Sequence, residues 1–159
     1  KHPSPLNPLI AAAVPFVFGV PREPVYDPFC GSGTIPIEMR ALGFEAVGSD
    51  VERRYVEGAV ANSREAGADV GLFVADALLP SVHEAGFVVT DPPRFPRGAA
   101  LRCIRACFRM CSVLSVPVCL VTPHRSIAVG EAERRGFRLA GSLTTFQGGH
   151  RVYLLYFEP

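Results

Sequence analysis

The residues with the clearest capacity for chemistry lie in one stretch, Asp27-Pro28-Phe29-Cys30-Gly31-Ser32-Gly33-Thr34. Because Gly31 and Gly33 have no Cβ, the backbone can turn sharply there and approach a ligand closely. The stretch lacks the Gly-Lys-Ser/Thr sequence of a nucleoside-triphosphate loop and the third glycine of a dinucleotide site. It opens on an acid, which favours a cofactor that carries positive charge or amine donors. The glycine pattern alone leaves several nucleotide cofactors open.

A second stretch, Asp91-Pro92-Pro93-Arg94-Phe95, follows the apolar residues 87–90. The two prolines fix φ and remove two amide donors, so the Asp91 carboxylate and the Pro92 carbonyl remain as acceptors. The lone pair of an exocyclic amine on a base is delocalised into the ring. Two acceptors that hold its two hydrogens can turn that lone pair toward an electrophilic carbon. We therefore predict that this stretch contains the catalytic residues of an amino-group methyltransferase: Asp91, Pro92, Pro93, Arg94 and Phe95.

Alternating strands and helices must position these two stretches. The alternation predicts a single α/β domain over residues 1–159, with a helical segment at residues 1–20 and ligands at the carboxyl ends of the strands. Asn7 and Ser126 are the expected caps of the first and last helices. Strands are predicted over 24–29, 46–50, 70–75, 87–90, 117–121, 137–145 and 151–157, and helices over 9–16, 35–42, 52–66, 98–114 and 126–135.

Two further acids are predicted to follow strands. Asp50 ends the second strand about twenty residues beyond the glycine loop, where an acid can accept hydrogen bonds from ribose hydroxyls. It can also cap the helix that starts at Glu52, and the two roles are compatible. Val51 would then lie against an adenine ring. Asp76 follows the third strand, and an isolated acid in that place is more often a turn residue.

The first stretch and the residues after it, Asp-Pro-Phe-Cys-Gly-Ser-Gly-Thr-Ile-Pro-Ile-Glu, resemble motif I of the class I RNA methyltransferases of the THUMP-associated type. That family includes tRNA guanine-N2 enzymes and their 23S rRNA relatives, and the resemblance covers essentially the whole chain. It implies S-adenosylmethionine as the cofactor. It also implies a Rossmann-like fold with a seven-stranded, mostly parallel sheet in the order 3-2-1-4-5-7-6, strand 7 antiparallel and helices on both faces.

The resemblance also implies further cofactor contacts. In the family, a segment similar to residues 2–8 packs over the methionine end of the cofactor, which suggests Pro5 and Leu6. An acid matching Asp76 meets the adenine amino group, with Ala77 beside it. The predicted cofactor-binding residues are Pro5, Leu6, Asp27, Phe29, Cys30, Gly31, Ser32, Gly33, Thr34, Asp50, Val51, Asp76 and Ala77.

The implied function is methylation of an exocyclic amino group of a base in RNA, with guanine N2 in tRNA or rRNA as the leading target. The family pattern usually continues Asp/Asn-Pro-Pro-Tyr-Gly, whose aromatic ring stacks on the base. In this chain either the plane of Arg94 or the ring of Phe95 must take that role. Adenine-N6 methylation of DNA or RNA and a non-catalytic cofactor- or RNA-binding subunit stay open. RNA cytosine-C5 methylation needs a cysteine nucleophile after strand four or five, and Cys119 is expected to point into the core.

The composition gives only limited information about the binding partners of the protein. The net charge is +1, which does not by itself indicate nucleic-acid binding, and 15 of the 16 basic residues are arginine. Five cysteines without a Cys-x-x-Cys pair argue against structural zinc and favour a reducing, cytoplasmic compartment. No apolar run reaches the ~18 residues of a membrane span. The family carries an upstream THUMP domain that this sequence lacks, so an RNA-binding domain or a small activator protein is an expected partner besides RNA.

The predicted helix over residues 98–114 has an apolar face that contains cysteines and an opposite face that contains arginines. Three cysteines share its apolar face, and we interpret them as core packing instead of a metal site because Ile104 and Phe108 lie among them. Arg102, Arg105 and Arg109 occupy the opposite face. This arginine stripe is interpreted as a solvated surface, with a phosphate-binding track that continues from Arg94 and Arg97 as the alternative.

Overall fold

A single seven-stranded sheet organises the chain. The computed structural model describes residues 5–20, 22–79, 82 and 84–159, so the first four residues of the predicted N-terminal segment lie outside it. The strands are β1 (Val25–Asp27), β2 (Ala46–Asp50), β3 (Gly71–Val74), β4 (Phe87–Thr90), β5 (Val118–Thr122), β6 (Arg138–Gln147) and β7 (His150–Glu158). Their order is β3-β2-β1-β4-β5-β7-β6. Strand β7 is antiparallel to both neighbours and the other pairs are parallel, which confirms the order implied by the resemblance.

Helices cover both faces of the sheet. They are α1 (Pro8–Phe18), α2 (Thr34–Ala41), α3 (Arg53–Glu65), α4 (Arg97–Leu114) and α5 (Arg125–Glu133). Since successive residues of a strand point to opposite faces, each central strand feeds two cores. Val89 and Cys119 pack in one core with side chains of α1 and α2. Val88 and Leu120 pack in the other with side chains of α4 and α5. Within the described residues, no helix is long and apolar enough to cross a bilayer.

The cysteines of α4 are part of the second core. Cys107 and Cys111 are buried in the same cluster as Ile104 and Phe108, and Cys103 is half-buried. The interpretation of these thiols as core packing is therefore confirmed for Cys107 and Cys111. A small polarisable side chain fills the space between a helix and a sheet without needing a polar partner.

The two predictions about helix caps have different outcomes. The Asn7 side chain accepts a hydrogen bond from the Leu9 amide and caps α1, as expected. The prediction that Ser126 caps the last helix is wrong, because α5 begins at Arg125 and His124 occupies the cap position. The His124 amide donates to the Thr122 hydroxyl over 3.1 Å, and this turns the chain one residue earlier than the sequence pattern indicates.

The hairpin of β6 and β7 is longer than predicted. The turn was expected over residues 147–150, but Gln147 ends β6 and His150 begins β7, so that only Gly148 and Gly149 form the turn. Both glycines have positive φ, 55° and 79°, which matches the backbone that tight two-residue hairpin turns require. The extra length of β6 brings Gln147 to the carboxyl edge of the sheet.

We expect Gly48→Ala and Gly58→Ala to change stability in opposite directions. A Cβ at Gly48, in β2, would lie 2.8 Å from the Cβ of Cys30, so the variant should lower the free energy of unfolding by about 1–3 kcal/mol. Gly58 is exposed inside α3 with no neighbour within 4 Å of a Cβ, and alanine there should raise that free energy by about 0.5–1 kcal/mol. Urea unfolding measures both, and equal midpoints for the two variants would contradict the packing at Gly48.

Candidate active site

A buried hydrogen bond joins the two sequence motifs. The Thr90 hydroxyl at the end of β4 donates to Oδ1 of Asp27 at the end of β1, over 2.6 Å. The Phe29 amide donates to the same oxygen over 3.1 Å, which fixes the first turn of the glycine loop. Asp27 and Thr90 are both buried. Since Asp91 follows Thr90 directly, the glycine loop and the Asp-Pro-Pro turn leave the sheet side by side.

The glycine loop is shaped by two residues with positive φ. Gly31 has φ 51° and Gly33 has φ 85°. A Cβ on Gly33 would lie 3.0 Å from the Cβ of Ala59 in α3, whereas a Cβ on Gly31 would meet nothing within 4 Å. The side chain of Asn62 donates to the Ser32 carbonyl over 2.9 Å and supports the loop from α3. The space in front of Gly31 is therefore open, and the loop behind it is held rigidly.

Three residues of this stretch that are predicted to bind cofactor have side chains that are buried or packed against a core. The Asp27 carboxylate is enclosed, the Cys30 thiol is buried, and Phe29 packs against the second core. Burial raises the pKa of the Cys30 thiol, which disfavours its nucleophilic thiolate form. Ser32 and Thr34 remain partly exposed, with their hydroxyls 3.4 Å apart.

Asp50 joins the glycine loop to the start of α3. Its Oδ2 accepts from the Gly31 amide over 3.0 Å, and its Oδ1 accepts from the Glu52 amide over 2.9 Å. The prediction that Asp50 caps this helix is wrong, because Glu52 occupies the cap position of α3 and Asp50 accepts from the amide of that residue. Each carboxylate oxygen can accept a second hydrogen bond, so the partly exposed carboxylate keeps capacity for a ligand hydroxyl. Val51 and Val74 lie exposed at the ends of β2 and β3 and offer apolar surface beside it.

Asp76 is a turn residue whose loop is tied to α4. Its Oδ1 accepts from the Leu78 amide over 2.9 Å. The Arg109 guanidinium donates to the Leu78 carbonyl and so holds the same loop. In the same arginine stripe, Arg105 pairs with the buried Glu131 of α5 over 3.1 Å. Two of the three stripe arginines therefore stabilise the fold, and the phosphate track stays a prediction for the rest of that surface.

Arg94 forms a bidentate ion pair with Asp91, the predicted catalytic acid. Its Nε donates to Asp91 Oδ1 over 3.1 Å and its Nη2 donates to Oδ2 over 2.6 Å. Only 15% of the Asp91 side chain and 19% of the Arg94 side chain are exposed. Burial raises the pKa of Asp91, and the ion pair with Arg94 opposes that rise. With only 19% of its side chain exposed, Arg94 offers less surface to a base than an open side chain would.

Phe95 is the exposed aromatic residue beside the acid. Its side chain is 75% exposed, and its ring stands edge-on to His124 with centroids 6.1 Å apart. His124 Nε2 donates to the Arg94 carbonyl over 2.8 Å and anchors the turn to the end of β5. The sequence does not predict this contact, because nothing local pairs two residues thirty positions apart.

Gln147, near the C-terminal end of the chain, lies at the same edge of the sheet and contacts the N-terminal segment. Its side chain donates to the Pro5 carbonyl over 2.6 Å and accepts from the Asn7 amide over 3.0 Å. Pro5 is exposed, whereas the Leu6 side chain is buried in the first core. Of the two N-terminal residues predicted to bind cofactor, Leu6 therefore offers its backbone and Pro5 its surface. Sequence reasoning placed Gln147 in a turn and gave it no role.

The cytosine-C5 alternative lacks its nucleophile. Cys119 lies in the middle of β5 and is fully buried, and burial raises the pKa of its thiol. The residues that follow β4 and β5, at 91–96 and 123–124, include no cysteine. A thiol at the mouth of the sheet is required for attack on a base, so the arrangement favours chemistry at an amine.

Comparisons with known proteins converge on methyltransferases. The family described as UPF0020: RMKL-like, methyltransferase domain matches residues 1–99. The chain is 31% identical to the tRNA (guanine(10)-N2)-dimethyltransferase of Pyrococcus abyssi (strain GE5 / Orsay), over 99% of this chain and 50% of that relative. The fold of this chain is similar to that of TrmN from Thermus thermophilus, with a TM-score of 0.84 and 23% identity over 96% of this chain and 49% of that one.

A third similar protein was solved with a bound product. It is the Pyrococcus abyssi tRNA (uracil-54, C5)-methyltransferase in complex with S-adenosyl-L-homocysteine, with a TM-score of 0.74 and 20% identity over 94% of this chain and 37% of that one. The two structural likenesses establish the class I methyltransferase fold. The chain spans half or less of the length of each of these three proteins.

We expect the buried Asp27 to give stability a distinct pH dependence. Burial raises its pKa to about 7, against hydrogen bonds from Thr90 and Phe29 that lower it. The unfolded carboxyl ionises near pH ~4, so between about 4 and about 7 the folded state holds a proton that the unfolded state has lost. The free energy of unfolding should therefore fall as pH rises through this window, by up to about 1.4 kcal/mol per pH unit.

The isosteric variant Asp27→Asn tests this dependence, because the amide keeps the acceptor oxygen but cannot ionise. Urea unfolding between pH ~4.5 and ~7.5 should show a shallower decline for Asp27→Asn than for the unmodified chain. The exposed Asp69→Asn serves as the control and should keep the original slope. Parallel pH dependences for all three proteins would contradict a raised pKa at Asp27.

Proposed function

The chain belongs to the UPF0020 family of RMKL-like methyltransferase domains, and on that premise we propose that it methylates an exocyclic amine of a base in RNA. We take S-adenosylmethionine as the methyl donor and guanine N2 in tRNA or rRNA as the target. The observation that carries the proposal is the largely enclosed Asp91 carboxylate, followed directly by Pro92, at the sheet edge that also holds the glycine loop and Asp50.

The residues around the glycine loop fit this cofactor. The open space at Gly31 gives room for a ligand close to the backbone, and the Asp50 carboxylate can accept from ribose hydroxyls. Val51 and Val74 offer apolar surface for an adenine ring. When bound, S-adenosylmethionine supplies an electrophilic methyl group whose bond to sulfur breaks with the electron pair left on sulfur. We assign the remaining cofactor contacts to the loop 29–34, to residues 76–77 and to Pro5 and Leu6.

Asp91 and Pro92 orient the amine. The carboxylate and the carbonyl accept its two hydrogens, which turns the nitrogen lone pair away from the ring plane and toward the methyl carbon. The negative charge of Asp91 also stabilises the positive charge that develops on nitrogen as its new bond to carbon forms, and the nitrogen becomes neutral again when it releases one proton to solvent. A low local dielectric strengthens that interaction, and the small exposure of the Asp91 side chain supplies such a setting.

Phe95 takes the stacking role in this proposal. Its ring is exposed next to the acid, while Arg94 is occupied by Asp91. The target base must leave its own stack to reach the buried acceptors, and an exposed ring can replace one stacking partner. The same acceptors would serve adenine N6, so product identity decides between the two bases. An upstream RNA-binding domain or a small activator protein remains the proposed additional partner, and the cytoplasm the proposed compartment.

We expect an unmodified tRNA transcript incubated with the protein and radiolabelled S-adenosylmethionine to yield N2-methylguanosine. Nucleoside digestion followed by chromatography and mass spectrometry identifies the product. Asp91→Asn should lower kcat by about 100–1,000-fold because the buried negative charge is lost. Asp69→Asn removes an exposed carboxyl elsewhere and should leave kcat unchanged.

Three results would sink parts of the proposal. Labelled N6-methyladenosine would replace guanine by adenine as the target, and labelled 5-methylcytidine would replace amine chemistry altogether. Equal labelling by Asp91→Asn and the unmodified chain would show that this chain is not the catalyst.

We expect Phe95→Ala to raise the KM for RNA by about 5–100-fold, since base–aromatic stacking is worth about 1–3 kcal/mol. Phe95→Tyr keeps a ring and should stay within a few-fold of the original value. Phe16→Ala is the matched control, because Phe16 is 76% exposed on α1 and lies outside the proposed site. Steady-state kinetics at fixed salt gives the comparison, and identical KM values for Phe95→Ala and Phe16→Ala would remove the stacking role.

A further inference from the structure

We propose that Arg94 is a positioning residue that holds the Asp91 carboxylate oriented and ionised for the incoming amine, an inference that rests on the proposed function. Where the family pattern has an aromatic ring that touches the base, this chain has a guanidinium that touches the acid. The substitution therefore changes the role of the position from substrate contact to support of the catalytic carboxylate.

Arg94 is fixed at both of its ends. Its guanidinium makes two parallel N–H···O bonds to Asp91, an arrangement that restrains the plane of the carboxylate as well as its place. Its backbone carbonyl accepts from His124 Nε2 over 2.8 Å, and His124 follows the end of β5. The acid at the end of β4 is thus braced against the neighbouring strand through a single residue. Such a brace sets the direction of the oxygens before any substrate arrives.

The brace leaves room for the amine. An ionised carboxylate offers about four acceptor positions on its two oxygens, and the bidentate pair uses one on each. One position on each oxygen, together with the Pro92 carbonyl, remains for the hydrogens of the target. A protonated carboxyl would lose this capacity, because one of its oxygens becomes a donor. The ionised form is therefore the useful one.

Apart from Arg94, the surroundings of Asp91 oppose ionisation of its carboxyl group. Only 15% of the Asp91 side chain is exposed, and Asp91 contributes to the raised pKa of Asp27 at the end of β1. The His124 ring contacts the Arg94 carbonyl and the Phe95 ring. Among the described residues, Arg94 is the positive charge paired with Asp91. Without it, burial and Asp27 would together keep the carboxyl protonated to higher pH.

Two substitutions separate orientation from charge. Arg94→Met keeps much of the length but removes both the charge and the two donors, whereas Arg94→Lys keeps the charge and loses the bidentate geometry. Arg64→Met removes an exposed arginine of α3 and serves as the control. The pH dependence of kcat on the tRNA transcript and the carboxyl ¹³C titration of Asp91 by NMR are measured for each protein, with Asp91→Asn used to assign the resonance.

In Arg94→Met we expect the Asp91 titration and the acid limb of kcat to move together to higher pH, because a positive partner has been lost. kcat at neutral pH should fall by about 10–100-fold with little change in the KM for RNA. Arg94→Lys should keep the acid limb near its original pH but still lose about 10-fold in kcat, since one ammonium does not orient both oxygens. Arg64→Met should match the unmodified chain in every measurement.

The proposal is overturned if the Asp91 titration of Arg94→Met does not move, or if that variant has equal or higher kcat, in which case Arg94 is idle or blocks the acid. Full kcat in Arg94→Lys would also overturn the orienting role. If Arg94→Met does not give a folded NMR spectrum, the kcat and acid limb of Arg94→Lys decide the question. Failure of the proposed function is recognised separately, as absence of any methylated amine with the unmodified chain, while the Asp91 titration remains measurable.

Discussion

The hydrogen bond from Thr90 to Asp27 is the contact on which the rest of the site depends. It lies in the middle of the sheet, at the carboxyl ends of β1 and β4, where both partners are enclosed. Sheet hydrogen bonds align these strands but do not fix the loops that leave them. Asp27 fixes both, because the oxygen that accepts from Thr90 also accepts from the Phe29 amide. The cost is a carboxyl removed from water, which is visible in its raised pKa.

A layered set of polar contacts extends outward from this centre. Asp50 and Asn62 hold the glycine loop from β2 and α3, and Arg94 and His124 hold the Asp-Pro-Pro turn from its far side. The contacts of Asp50, Asn62 and His124 each join two different elements, whereas Arg94 contacts Asp91 within the turn, so most of this support comes from the surrounding scaffold. Rigid support of this kind keeps reacting groups within a fraction of an ångström, which orientation effects in catalysis require. The arginine in place of an aromatic residue fits this scheme, since it adds support where the family adds a substrate contact.

The strands and the two motifs could be predicted because each rests on a local pattern, whereas the order of the strands was implied by the resemblance to the methyltransferase family and not by periodicity. Buried parallel strands appear as short apolar runs, and Asp50 lies at a fixed offset from the glycine loop. The start of α5 was misplaced because Ser126 is a residue type that often caps helices, whereas the His124 amide donates to the Thr122 hydroxyl and the helix begins at Arg125. The roles of His124, Asn62 and Gln147 could not be predicted. Each contacts a residue at least thirty positions away, and such pairs leave no trace in spacing or propensity.

The contact of Gln147 with the N-terminal segment has a consequence for the order of folding. It joins residues 142 positions apart, so the segment that closes one edge of the site must wait for the final hairpin of this chain. The entropic cost of closing a loop grows only slowly with the length of the loop. The contact therefore forms late mainly because the hairpin comes late in the chain, and less because closing the loop is costly. A nascent chain emerging from the ribosome would carry both motifs well before it could dock Pro5 and Asn7. Completion of the hairpin thus marks the moment at which the ligand-facing edge becomes whole.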